Sequence, residues 1–145
     1  MLKILINSQQ EMLEFAQKIA ASISSKQVIA LYGNLGAGKS FFAKSFINFL
    51  QSNPTEVLSP TFNLVYSYDS KKGEIFHFDL YRIKDPQDLE NIGFFDILPN
   101  YISIIEWPQI AEKYLPKNSL KITIKNVLNL GEEAREIIIE NNEHI

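Results

Sequence analysis

No cysteine occurs anywhere in the chain, which removes disulfide frameworks and thiolate metal sites from consideration. Long apolar runs are missing too. No stretch approaches the length of a membrane span, and the first residues lack the basic-then-apolar order of a signal peptide, so a cytosolic setting without membrane attachment is expected. Positive charge is neither abundant nor clustered. The net charge is −3, the pI is about 5.4, and the one adjacent lysine pair, Lys71-Lys72, falls in an expected turn. A domain that grips nucleic acid unaided usually carries a basic face, so tight direct binding of RNA or DNA is not expected of this chain. Arginine is scarcest of the charged residues, with only Arg82 and Arg135. Repeats, linkers and low-complexity tracts are absent, and 145 residues with 46% hydrophobic content suit one globular domain.

Against that background one stretch stands out. Gly33-Asn34-Leu35-Gly36-Ala37-Gly38-Lys39-Ser40 reads G-x-x-x-x-G-K-[ST], a phosphate-binding loop. Backbone N–H groups can turn inward around an anion there, and a Cβ at Gly33, Gly36 or Gly38 would obstruct them. Lys39 is placed to reach the β- and γ-phosphates, and the Ser40 hydroxyl to ligate Mg²⁺. The context fits. Val28 to Tyr32 is an apolar run suited to a buried parallel strand, and Phe41 to Leu50 carries a helical stripe at Phe42, Phe46, Ile47 and Leu50. The helix would then point the positive end of its dipole at the phosphates. A plain glycine-rich turn would not require the Gly-Lys-Ser ending, so a nucleoside triphosphate is the expected ligand.

The rest of the chain predicts an α/β fold around this loop. Leu2 to Ile6 reads as an edge strand, and Ser8 to Glu11 as a capping box opening a helix with Met12, Phe15, Ala16, Ile19, Ala20 and Ile23 on one face. That stripe is core packing, although the helix's polar start is a candidate for the base-binding side. Asn53-Pro54 breaks the loop helix, and Val57-Leu58 suggests a short strand. The Ser59-Pro60-Thr61-Phe62 tetrapeptide that follows is stiffened by its proline. Its two hydroxyls, Ser59 and Thr61, suit either a switch sensing the γ-phosphate or Mg²⁺, or an ordinary polar turn. Residues 63–68 and 74–80 predict a hairpin about a turn at 69–73, and antiparallel register would bring Thr61 toward Asp79 to Tyr81. Alternation places His77 and Asp79 on one face and Phe76, Phe78 and Leu80 on the other. Asp79 then either orients a water or metal ligand, or pairs with Arg82 or His77 to steady the turn.

Asp85-Pro86 signals a helix start, Gly93 its end, and residues 94–98 a second short helical segment with aromatics turned inward. Tyr101 to Ile105 is an apolar strand that closes on Glu106-Trp107-Pro108. An acid at the tip of such a strand is the second half of a phosphate-loop site (Walker B), holding Mg²⁺ directly or through water beside Ser40. Trp107 either covers the site or fills the core. Residues 108–115 suit a short helix, and 120–125 and 134–140 two final strands that look antiparallel. The expected architecture is a three-layer P-loop NTPase-like fold, with a mixed, mostly parallel sheet and antiparallel strands at the hairpin and the C-terminus.

With these residues assembled the chain resembles the TsaE (YjeE) family of bacterial tRNA threonylcarbamoyladenosine synthesis. The likeness runs through Gly-Asn-Leu-Gly-Ala-Gly-Lys-Ser (33–40), Leu-Ser-Pro-Thr-Phe (58–62), His-Phe-Asp-Leu-Tyr-Arg (77–82), Leu-Glu-Asn-Ile-Gly (89–93), Ile-Glu-Trp-Pro (105–108) and Ala-Arg (134–135). Asn34 stands where the family usually has Asp, and Ser40 replaces the commoner Thr while keeping the hydroxyl. The resemblance implies a weak Mg²⁺-dependent ATPase that docks on the partner pair TsaB and TsaD. Those partners would hold the tRNA, and hydrolysis of ATP would reset the complex between turnovers. It also implies that Ser59 to Phe62 is a switch loop, Asp79 a catalytic or switch-coupled carboxylate and Glu106 the metal residue. Lys39 and Thr61 would join Asp79 in catalysis. The nucleotide would be bound by residues 33–41, through Phe41, together with Ser59, Trp107 and Arg135.

Three rival classes fit the residues less well. A small-molecule kinase stabilises phosphoryl transfer with several arginines and an acceptor pocket under a lid, and two arginines with no lid-like insertion fit that poorly. A GTPase would carry an Asn-Lys-x-Asp guanine signature, which is missing. A module that binds nucleotide without hydrolysing it would not need Asp79 and Glu106.

Overall fold

The computed structural model describes residues 1–53, 55–60 and 63–141. The elements run β1 (Leu2–Ile6), α1 (Gln9–Ser22), β2 (Val28–Tyr32), α2 (Lys39–Leu50), β3 (Val65–Tyr68), β4 (Ile75–Asp79), α3 (Asp88–Asn91), α4 (Phe94–Ile97) and β5 (Ile102–Glu106). A 3₁₀ segment (Pro108–Tyr114), β6 (Leu120–Asn126), a 3₁₀ turn (Leu128–Leu130) and β7 (Arg135–Glu140) complete the chain. Among the described residues the strands form one seven-stranded sheet in the order β1-β7-β6-β2-β5-β4-β3.

The middle of the sheet is parallel because its strands are apolar on both faces and need helices above and below. In β2, Val28, Ile29, Ala30 and Leu31 are all buried, and β5 is buried throughout. Two cores result, one on each face. Met12, Phe15 and Ile19 of α1 and Phe42, Phe46 and Ile47 of α2 pack over Ile29, Leu31, Ile104, Ile122 and Ile137. On the other face, Leu89, Phe94 and Ala111 from α3, α4 and the 3₁₀ segment pack on Val28, Phe78 and Ile105. The chain is therefore layered helix–sheet–helix.

Several local expectations hold. Ser8 caps α1 by accepting from the Glu11 N–H at 3.1 Å, while the Glu11 carboxylate accepts from the N–H of Asn7, one residue before the cap. The β3–β4 hairpin pairs Val65 with Phe78, and Gly93 takes φ +76 between α3 and α4.

The sheet is mixed as expected: β6, β2, β5 and β4 run parallel at its centre, β3 adds the antiparallel hairpin strand at one edge, and β7 near the C-terminus pairs antiparallel with both β6 and β1. Other expectations need correction. Val57-Leu58 is not a strand, because the backbone of Leu58 is bonded by the Tyr68 hydroxyl instead of a neighbouring strand. The helix expected from Asp85 begins at Asp88, since Asp85 accepts from the Gln87 N–H at 2.9 Å and holds a turn ahead of it. Of the two aromatics in α4, Phe94 is buried but Phe95 is exposed.

Candidate functional site

The ends of β2, β4 and β5 bring the candidate residues to one edge of the sheet. Gly33 follows β2 directly, and its backbone runs so close to β6 that a Cβ there would lie 2.7 Å from the Ile124 carbonyl oxygen. The loop closes through a turn in which Ala37 N–H donates to Asn34 O at 3.0 Å. Gly38, at φ +115, then turns the chain into α2, whose first residues are Lys39 and Ser40. An L-residue with a Cβ is strained at that angle. The glycines thus deliver the start of a 12-residue helix to the end of the parallel strands.

Register does the rest. β4 and β5 are parallel with Asp79 opposite Glu106 and His77 opposite Ile104. Residues 77 and 79 of β4, and 104 and 106 of β5, share the face covered by α2. There the Ser40 hydroxyl donates to Glu106 Oε1 at 2.9 Å, and Glu106 Oε2 lies 2.6 Å from His77 Nε2. Glu106 is 2% exposed and His77 fully buried, so this carboxylate is held at both oxygens away from bulk water. Residues 35–41, Asp79, Glu106 and Trp107 line a cleft of about 260 Å³.

Lys39 is buried at the cleft and donates to the carbonyls of Gly33 and Asn34. Its Nζ sits 3.7 Å from the centre of the Trp107 ring, within cation–π range. Burial lowers its pKa from the ordinary lysine value, and the Glu106 and Asp79 carboxylates oppose that shift. Trp107 itself takes φ +55 and packs against Tyr81 with ring centres 4.7 Å apart. It stands over the lysine and belongs to neither core. Asp79 accepts from the Tyr81 N–H at 3.0 Å through Oδ1, so it steadies the turn after β4 as well as facing the cleft.

Arg135 donates from Nε to the Ala37 carbonyl at 2.7 Å, tying the start of β7 to the loop. It joins Ser8, the cap of α1, Gln9 and Met12 of α1 and Glu133 around a second hollow that shares Ala37, Gly38 and Phe41 with the cleft. Asn34 borders a third hollow beside Trp107. Leu35 lies at the exposed tip of the loop. Ser59 is exposed and is not among the described residues that line the cleft. Thr61 lies outside the described residues.

Sequence reasoning missed the His77–Glu106 contact. The signal was present, since a histidine inside an apolar strand shared a face with Asp79, but the partner comes from a strand 29 residues away.

The donor set suits a small hard cation. A serine hydroxyl and a carboxylate are the oxygen donors that Mg²⁺ prefers, and Ser40 Oγ and Glu106 Oε1 stand 2.9 Å apart. Among the described residues no cluster of three or more His, Cys, Asp or Glu side chains could hold a metal unaided.

Comparison with known proteins places the chain. The family model described as "Threonylcarbamoyl adenosine biosynthesis protein TsaE" matches residues 6–137. Proteins named tRNA threonylcarbamoyladenosine biosynthesis protein TsaE are similar to it. The one from Rickettsia bellii is 34% identical over 83% of this chain and 84% of its own length. That from Aquifex aeolicus is 37% identical over 74% and 77%, and that from Bacillus subtilis 33% over 88% and 78%. The crystal structure of Bacillus subtilis YdiB superposes with a TM-score of 0.70 at 29% identity, covering 94% of this chain and 82% of the other. A phosphate-loop sequence, a strand-tip acid bonded to its serine, and matches along nearly the whole chain agree: the chain belongs to the TsaE family.

Proposed function

We propose that this chain is a Mg²⁺-dependent ATPase of the P-loop class that serves the formation of threonylcarbamoyladenosine in tRNA. The observation that carries the reading is the 2.9 Å contact between Ser40 Oγ and Glu106 Oε1 at the mouth of the glycine loop. It sets a hydroxyl and a carboxylate where one cation can be shared with a triphosphate.

The roles divide by geometry. The loop amides and the positive end of α2 receive the phosphates. Lys39, already stripped of much of its water, moves its ammonium from the loop carbonyls to the β- and γ-phosphate oxygens. Ser40 and Glu106 would hold Mg²⁺, which supplies charge neutralisation across those oxygens. Asp79 faces the same cleft and orients the attacking water, whose oxygen bonds to the γ-phosphorus as the bond to the β-phosphate oxygen breaks. Trp107 shields the lysine side of the cleft. The hollow between α1, Phe41 and Arg135 is the side on which the base lies.

The net charge of −3 agrees with a division of labour in which TsaB and TsaD hold the tRNA and this subunit resets the complex by hydrolysing ATP. The test is ATP turnover measured with and without the TsaB–TsaD pair. Slow turnover alone that rises when the pair is added, together with a complex on gel filtration, is expected. No stimulation and no complex would overturn the partner assignment, and failure to bind ATP with Mg²⁺ would overturn the whole reading.

A further inference from the structure

We infer that His77 is a positioning residue for Glu106: its Nε2–H holds Oε2 of the carboxylate so that Oε1 stays turned toward Ser40. The inference rests on the reading of Glu106 as the metal residue. Glu106 is the last residue of β5, and its side chain has three rotatable bonds with which to leave the cleft. Two contacts prevent that, Ser40 at 2.9 Å on one oxygen and His77 at 2.6 Å on the other. The Ser40 contact must be shared with or given up to a cation, so His77 is the anchor that persists.

The bonding assigns the proton. A carboxylate only accepts, so Nε2 is the donor. Nδ1 of His77 has no hydrogen-bond partner among the described residues and is buried. The ring thus presents Nε2–H as one donor to one acceptor. A residue kept only to fill space beside Ile75 and Ile104 would do so better without a polar nitrogen left unpaired. Partners of this kind set the orientation of a metal ligand, and their loss typically weakens metal affinity by about 10- to 100-fold.

The test is Mn²⁺ binding to the protein–ADP complex, read by electron paramagnetic resonance, alongside ADP binding in EDTA. The amide nitrogen of Gln reaches the position of His Nε2, whereas that of Asn reaches only the position of Nδ1. H77F and H77N should weaken Mn²⁺ binding by about 10- to 100-fold and leave ADP binding in EDTA unchanged. H77Q should restore most of the loss. Mn²⁺ affinity in H77F equal to the wild type, or equal affinities in H77Q and H77N, would overturn the inference. If H77F does not fold, the H77Q and H77N pair decides it. Absence of Mn²⁺ binding by the wild-type ADP complex would instead count against the functional reading itself.

Discussion

At the scale of single residues, Lys39 carries the largest electrostatic burden. Its ammonium is buried, bonded to two loop carbonyls and stacked over Trp107, and burial already lowers its pKa. Replacing its bonds to carbonyls by bonds to phosphate oxygens exchanges neutral acceptors for charged ones, which strengthens each bond. Lys39→Ala should therefore weaken ATP binding by about 1.5–3 kcal/mol, measurable by isothermal titration. Near-normal affinity would show that the loop does not grip phosphate. Asp79 predicts a different split. Its Oδ1 accepts from the Tyr81 N–H, and its carboxylate faces the cleft without belonging to the loop. Asp79→Ala should leave ATP binding within a few-fold of normal and abolish turnover, and surviving turnover would reduce Asp79 to a turn-former. Single residues are also where the sequence was most readable. Gly33, Lys39, Ser40 and Glu106 each sit in a local pattern whose chemistry dictates spacing. His77 was not readable in this way, because its partner depends on β4 lying beside β5 in parallel register. The left-handed backbone of Trp107, which turns its ring over Lys39, carries no local signal either, since tryptophan is not a residue that favours φ +55.

Elements show a second kind of dependence on distant chain. α1 has no basic residue in its last turn to complement its C-terminal carbonyls. Lys72, from the turn of the β3–β4 hairpin, supplies the charge from outside, donating to the carbonyls of Ala20, Ala21 and Ile23 at 3.0, 2.9 and 2.8 Å. Lys72, one of the two lysines that the sequence places in a turn, is therefore a clasp between the hairpin and α1. Charge-assisted bonds at a helix C-terminus that are partly exposed contribute on the order of 1–2 kcal/mol. Lys72→Met should lower the melting temperature by several degrees for a chain of this size with ATP affinity unchanged. Lys71→Met, whose side chain is exposed, should do neither. Equal melting curves for Lys72→Met and wild type would refute the clasp. Element type was legible where one period dominated, as in α1, or where a short apolar run was continuous, as in β5. It failed at Val57-Leu58, where the Leu58 N–H donates to the Tyr68 hydroxyl instead of entering a ladder.

For the whole molecule the decisive fact is convergence. Residues after β2, at the ends of β4 and β5, at the start of α2 and at the start of β7 all meet at one cleft or in the loop beside it. Among the described residues no helix is long and apolar enough to cross a membrane. A ligand bound at the convergence point would touch the β2–α2 loop, the start of α2 and the ends of β4 and β5, and would bind only when they are assembled. It must then stabilise the domain as a unit. At a hundredfold excess over its dissociation constant it contributes about 2.7 kcal/mol, which for a domain of this length raises the melting temperature by roughly 10 °C. The share owed to the cation can be separated. Removing Mg²⁺ with EDTA should cut that rise sharply in the wild type, because Ser40 and Glu106 then lose the ion they would share. In Glu106→Ala the melting temperature with ATP should be the same whether Mg²⁺ or EDTA is present, since one of its two protein ligands is gone. A wild-type rise that ignores EDTA, or a Glu106→Ala protein that still distinguishes Mg²⁺ from EDTA, would mean that the cation is held elsewhere.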